Sequence, residues 1–307
     1  MGIIQSRNQT SARFAAGKNV LITGASDGIG AELARKFALQ KANLVLVARN
    51  EEKLQAVAKE CLELGAPSVE VISADLTSDD DIKTMVQKAI QSFGGHIDIL
   101  ILNAGRSMGC YFEEIKDMDS INYMIKLNVN GVINTLMCAL PAVPKSEESR
   151  IVVISSVSGL IGVPYRTIYC ASKHALNGFC NALRIELGDT YGATKAPKVQ
   201  LINFPEVKGT ALNSGRMTMG AIRPPCEFKT GGNIATCEEA CQDLLHQIEL
   251  GTDEWGQTVK FVILIWVRLL ATRLADFVLL KGVKKSHIRP DEIQQQGEVS
   301  KPKKKSQ

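Results

Sequence analysis

Tyr169 and Lys173 stand four residues apart in the run Tyr169-Cys170-Ala171-Ser172-Lys173. On a helix, positions i and i+4 share a face, so this spacing sets an ammonium beside a phenol. A free phenol ionises near pH ~10 and is a poor acid or base at neutrality. A cation within about 4–6 Å favours the phenolate and lowers that pKa, as a proton donor to a carbonyl oxygen requires. Taken alone the pair is a weak signal, since such spacings arise by chance on many helices. Its weight comes from residues elsewhere in the chain.

The second group with chemistry is the run Thr23-Gly24-Ala25-Ser26-Asp27-Gly28-Ile29-Gly30. It follows a short apolar stretch and opens a helical pattern. Glycines let a backbone turn tightly and approach a pyrophosphate, whose charge the helix N-terminus stabilises. The spacing is Gly-x-x-x-Gly-x-Gly rather than the commoner Gly-x-Gly-x-x-Gly, and the alternative is a plain strand-to-helix turn. Gly24, Ser26, Gly28, Ile29 and Gly30 are the candidate cofactor contacts here.

The next apolar stretch ends Val47-Ala48-Arg49. A carboxylate at such an end would bond the 2′-hydroxyl of NAD, whereas an arginine pairs with a 2′-phosphate. Arg49 therefore favours NADP(H). Asp27 partly opposes this by bringing a negative charge nearby.

These residues need elements to hold them. Strand candidates are Asn19–Thr23, Asn43–Val47, Ser68–Ile72, Ile99–Leu102, Arg150–Ser155 and Val199–Asn203, nearly continuous in Val, Ile and Leu as doubly buried strands should be. Amphipathic stretches alternate with them: Ala31–Gln40, Glu51–Leu64, Asp79–Phe93 and Tyr169–Gly188. Such alternation predicts an α/β fold with a doubly wound parallel sheet of the Rossmann type. Residues 17–255 read as one catalytic domain behind a leader, 1–16, and before a hydrophobic amphipathic segment, 256–285, and a basic tail, 286–307.

With the glycine loop, Asn103-Ala104-Gly105, Ser156 and the Tyr169/Lys173 pair in order, the chain resembles the short-chain dehydrogenase/reductase family over residues 17–255. The resemblance implies Tyr169 as general acid/base, with Lys173 as its partner and a ligand of the nicotinamide ribose. It implies Ser156, thirteen residues before Tyr169, as the holder of the substrate oxygen. Asn128, in Leu127-Asn128-Val129, would hold a water that links Lys173 to solvent. Asp75 would contact adenine, Asn103 would brace the sheet, and Thr210 would meet the nicotinamide carboxamide. One departure is Pro205-Glu206 where the family usually has Pro-Gly, which puts substrate choice in doubt more than hydride transfer. Two branches look similar: the member-seven dehydrogenase/reductase group, through Tyr169-Cys170-Ala171-Ser172-Lys173-His174-Ala175-Leu176, and the 3-ketodihydrosphingosine reductases, through Leu46–Glu51, the missing glycine and Thr210. Both imply lipid carbonyls at the endoplasmic reticulum.

From Phe261 to Leu280 the chain is largely apolar, interrupted by Arg268, Thr272, Arg273 and Asp276. In a helix these fall within about 140° of arc, leaving a broad apolar face. A full span would bury three charges at about 2.5–3.5 kcal/mol each, so a helix lying in the membrane interface is the preferred reading. A spanning helix and a packed soluble helix stay as alternatives. This surface could also make dimer contacts, and a homodimer is expected.

Lys304-Lys305-Ser306-Gln307 resembles a dilysine retrieval signal, and Met1-Gly2-Ile3-Ile4-Gln5-Ser6 fits the N-myristoylation pattern, with an ordinary disordered start as the alternative. The expected location is the cytosolic face of the endoplasmic reticulum membrane, with the cytoplasm as the alternative. The net charge of +4 is too small to argue for nucleic acid. The eight cysteines show no CxxC pair, so reduced thiols and no metal are expected. The leading functional expectation is an NADPH-dependent reductase of a lipid-like carbonyl: steroid, retinoid or 3-keto-sphingoid. The competing one is a non-catalytic dinucleotide-binding scaffold or redox sensor.

Overall fold

Strands buried on both faces favour apolar residues at most positions, and the largely apolar runs fold accordingly. In the computed structural model, which describes residues 14–205, 207–208, 235–255 and 266, they form β1 Asn19–Thr23, β2 Asn43–Ala48, β3 Val69–Ser73, β4 Ile99–Leu102, β5 Arg150–Ser156 and β6 Lys198–Phe204. A two-residue strand, β7 Glu254–Trp255, pairs with β6 at the edge. The order is β3-β2-β1-β4-β5-β6-β7 and every pairing is parallel. This is the expected doubly wound sheet.

Successive residues of each central strand serve opposite faces. On one face Val20, Ile22, Ile99, Ile101, Val152 and Ile154 join a cluster with Phe37, Leu54 and Leu244, from α1 Gly28–Leu39, α2 Glu51–Glu63 and α7 Cys237–Leu250. On the other, Leu21, Leu100 and Val153 pack with Met85, Leu136 and Leu176, from α3 Asp79–Ser92, α5 Gly131–Ala139 and α6 Thr167–Tyr191. Each such side chain contributes roughly 1.5–3 kcal/mol on burial. That outweighs the propensity of any one residue. A short α4, Met118–Ile125, leads into α5.

Caps set several boundaries. Asp27 starts α1 three residues earlier than the apolar pattern predicts, because its carboxylate accepts from Gly28 N at 2.7 Å. Asn50 and Ser78 cap α2 and α3 in the same manner, accepting from Lys53 N and Asp81 N. β3 runs one residue later than expected. It lies at the sheet edge with only Ile72 buried, so its pattern is the weakest of the six.

The expectations on Gly2, Glu206, Thr210, the segment 261–280 (Trp266 excepted) and the basic tail lie outside the described residues. Among the described residues, no helix is long and apolar enough to cross a membrane.

Candidate active site

In an open parallel sheet the crevice lies beyond the carboxyl ends of the strands, where the order reverses. Here the reversal falls between β1 and β4, and a cleft of about 500 Å³ opens there. Gly24, Arg49 and Asp75 line one part of it; Ser156, Tyr169 and Lys173 line another.

The turn after β1 depends on missing side chains. Gly24 has φ +68°, and a Cβ there would stand 2.9 Å from Ala104 Cα. A Cβ at Gly30 would collide with the Gly24 carbonyl and come within 2.6 Å of the Asn103 amide nitrogen. Asn103 closes this corner: its Nδ2 donates to Thr23 O at 3.0 Å and Gly24 O at 3.1 Å, tying β4 to the loop. Ser26, Gly28 and Ile29 line the cleft beside it. This cradle brings backbone and a helix N-terminus to the cleft, a donor set that suits a pyrophosphate, with Gly28 N already bonded to the Asp27 carboxylate.

At the end of β2, Arg49 donates from Nη1 to the Tyr123 hydroxyl at 3.1 Å and lies 3.8 Å from Asp75 Oδ2. Asp75 accepts from Thr77 N and Thr77 Oγ1, both at 2.9 Å. Asp27 is not a bare negative charge, because Lys53 Nζ sits 3.1 Å from its Oδ2. Lys53 lines the cleft with Arg49 and was not among the sequence-level candidates. Its signal was available: it is four residues past Arg49, on the first turn of a helix facing the loop.

In the other part of the cleft, α6 buries Tyr169 and Lys173 side by side, 2% and 5% exposed, with the ammonium 5.9 Å from the phenol ring centroid. Lys173 Nζ donates to Ile154 O at 2.8 Å, which fastens it to β5. Desolvation lowers the Lys173 pKa to about 8, because burial disfavours the charged form. Ser156 ends β5, and its hydroxyl accepts from Ser158 N at 3.2 Å. Gly159 lets the following turn press on α6, since a Cβ there would stand 2.8 Å from Lys173 O.

Asn128 lies in a π-helical turn, Lys126–Asn130, between α4 and α5. Its carboxamide is fully buried and pins a loop: Oδ1 accepts from Arg106 N, and Nδ2 donates to Arg106 O, each at 2.9 Å. The same Nδ2 reaches Ser172 Oγ at 3.1 Å, and Ser172 in turn donates to Tyr169 O at 2.7 Å. One side chain thus joins the loop after β4 to the helix carrying the Tyr/Lys pair. Ser172 and Arg106 were missed at the sequence level, and no local spacing signals them. The structure brings Ser156, Tyr169 and Lys173 together on the cleft lining, with Asn128 fully buried behind them; Thr210 lies outside the described residues.

The described cysteines are all free thiols, and no cluster of three or more His, Cys, Asp or Glu side chains suited to a metal occurs among the described residues.

A family model described as short chain dehydrogenase matches residues 18–213. The chain is 41% identical over 287 residues to hydroxysteroid 11-beta-dehydrogenase 1-like protein A of Xenopus laevis, covering 91% of this chain and 92% of that protein. It is 39% identical over 178 residues to dehydrogenase/reductase SDR family member 7 of Mus musculus, covering 57% of this chain and 52% of that protein. Matches to plant proteins named 11-beta-hydroxysteroid dehydrogenase or 11-beta-hydroxysteroid dehydrogenase-like span only 50% and 59% of their length, in Pinus massoniana and Arabidopsis thaliana. Among solved structures, the alcohol dehydrogenase of the archaeon Thermococcus sibiricus, complexed with 5-hydroxy-NADP, superposes with a TM-score of 0.66. It covers 78% of this chain and 95% of that one at 23% identity, a likeness of fold alone.

Proposed function

The chain belongs to the short-chain dehydrogenase family, and from that premise we propose that it is an NADPH-dependent reductase of a lipid-like carbonyl. The observation that carries this is the burial of Tyr169 and Lys173 side by side, at the cleft end opposite a glycine cradle. Relatives named for hydroxysteroid dehydrogenation support a steroid carbonyl, while retinoid and 3-keto-sphingoid carbonyls rest on the sequence resemblance.

The residues present fit a dinucleotide. Gly24, Ser26, Gly28, Ile29 and Gly30 would hold its pyrophosphate, and Asp75 its adenine. Arg49, with Lys53 screening Asp27, would hold a 2′-phosphate. Such a phosphate would compete with Asp75 for the Arg49 guanidinium, an exchange between two oxyanions rather than a desolvation. Bound there, the dinucleotide supplies a hydride to the carbonyl carbon.

The chain's own residues handle the oxygen. Ser156 holds the substrate oxygen by a hydrogen bond, with its own hydroxyl oriented by Ser158 N. Tyr169 donates its phenolic proton to that oxygen as negative charge builds there. Lys173, with its pKa lowered to about 8, is still mostly protonated at neutral pH, so its charge favours the phenolate left behind. Asn128 ties the loop after β4 to α6, and a water beside it would link Lys173 to solvent.

Membrane attachment through residues 261–280, the endoplasmic reticulum as location, and a homodimer are further parts of the same reading. They rest on sequence pattern.

The test is turnover. Purified protein should oxidise NADPH with at least one of a panel of keto-steroids, retinal and 3-keto-sphingoids. Tyr169→Phe should lower kcat by roughly 10²–10⁴-fold while leaving NADPH binding within a few-fold. Full activity in that variant would remove Tyr169 from the mechanism; no turnover with any carbonyl would favour a binding scaffold.

A further inference from the structure

Every arginine among the described residues has a partner except one. Arg35 pairs with Glu32 and Glu60, Arg49 with Asp75, Arg184 with Asp253, and Arg150 bonds backbone carbonyls. Arg106 also has one. Among the described residues nothing hydrogen-bonds or ion-pairs with the Arg166 side chain, which is half-buried and lines the cleft. A guanidinium drawn partly out of water without a partner is costly, and its planar fork matches a carboxylate, sulfate or phosphate.

Its backbone is held firmly. Arg166 is the residue before α6, with φ −127° and ψ 33°, three positions from Tyr169. Arg166 N donates to Val163 O at 3.2 Å, Cys170 N donates to Arg166 O at 2.7 Å, and Cys110 N donates to Tyr165 O at 3.0 Å. The rings of Tyr165 and Tyr111 meet with centroids 4.4 Å apart, bracing the preceding residue. Arg166 therefore stands about one helical turn, ~5 Å along the axis, from the residue assigned to protonate the carbonyl.

The charges of the cleft are divided. Its only carboxylates among the described lining residues are Asp27 and Asp75, both in the part lined by Arg49 and Lys53 and both engaged there. Around Ser156 and Tyr169 the described lining carries Arg106, Arg166 and Lys173 and no acid. The diphosphate of a dinucleotide would be taken up at the glycine cradle, away from Arg166.

We infer that Arg166 is a specificity residue, and that the carbonyl substrate carries an oxyanion group, carboxylate or sulfate, that pairs with it. This rests on the reductase reading and narrows it from lipid-like carbonyls to those with an anionic substituent within reach of the reacting oxygen.

The test uses two matched pairs on the NADPH-loaded full chain: 4-formylbenzoate against its methyl ester, and a 17-keto-steroid against its 3-sulfate. The wild type should show kcat/KM at least tenfold higher for the anionic member of one pair, and which pair identifies the oxyanion. Arg166→Leu should bring that ratio near one by raising KM for the anionic member, roughly 10–100-fold for a lost charge-assisted bond. Arg166→Lys, which keeps the charge but loses the fork, should restore part of it. A wild-type ratio at or below one for both pairs, or a ratio unchanged in both variants, overturns the inference while turnover itself upholds the reductase. If nothing turns over, calorimetric binding of the same four compounds decides. Arg166-dependent preference for the anions upholds this site and sinks the reductase reading, whereas equal binding sinks both.

Discussion

Lys173 shows how much one residue's surroundings matter. Its ammonium is buried, bonded to one carbonyl, and lowered by desolvation from the ordinary 10.5 to about 8. Between those two values the unfolded chain binds more protons than the folded one, so stability rises with pH across that window. Below about pH 8 the folded state carries the full cost, on the order of 3 kcal/mol. Urea titrations of the cofactor-free protein at pH 7 to 10 should therefore show the wild type gaining about 2–3 kcal/mol relative to Lys173→Met. Parallel stability curves would mean that Lys173 is hydrated in solution. The pair with Tyr169 was legible from spacing, since i, i+4 is a helix property. The depressed pKa was not, because it arises from desolvation by tertiary packing, with Ile154 O of β5 against the ammonium. Arg166 was illegible for a related reason: one cation in a loop means nothing until its lack of a partner is seen.

At the level of elements, the central strands were readable because burial on both faces favours near-continuous Val, Ile and Leu runs, and the edge strand β3 was readable only more weakly. β7 was not, since two residues carry no periodicity. Nor was the π-helical turn. Lys126–Asn130 looks helical by composition, and its π geometry accompanies a tertiary contact that composition does not show, the two Arg106 bonds to the Asn128 carboxamide. Asn128→Leu keeps the volume but leaves Arg106 N and O without that partner. A loss of about 1–3 kcal/mol in urea titrations is expected, because both Arg106 backbone groups are only part-buried and water can satisfy one of them. A variant within 0.5 kcal/mol of wild type would show that water satisfies Arg106 just as well.

For the molecule as a whole, two hydrophobic layers share one sheet, and the cleft opens where their strands end. A dinucleotide that binds only the folded state adds about 2.7 kcal/mol at a hundred times its Kd, a rise in Tm of several degrees for a chain this size. Scanning fluorimetry should show a larger rise with NADPH than with equimolar NADH, through Arg49 and Lys53. Equal rises would end the 2′-phosphate assignment.

Arg150, at the start of β5, sends its buried guanidinium to Ile248 O and Glu249 O at the end of α7, as well as to Glu147 O. During synthesis this cation is made about a hundred residues before those two carbonyls. A nascent chain that collapsed early around β5 would bury it half-satisfied, a penalty that favours keeping the β6–β7 side open until α7 has been made. The last described helix is in that sense the latch on the sheet, and the order of translation decides when it can close.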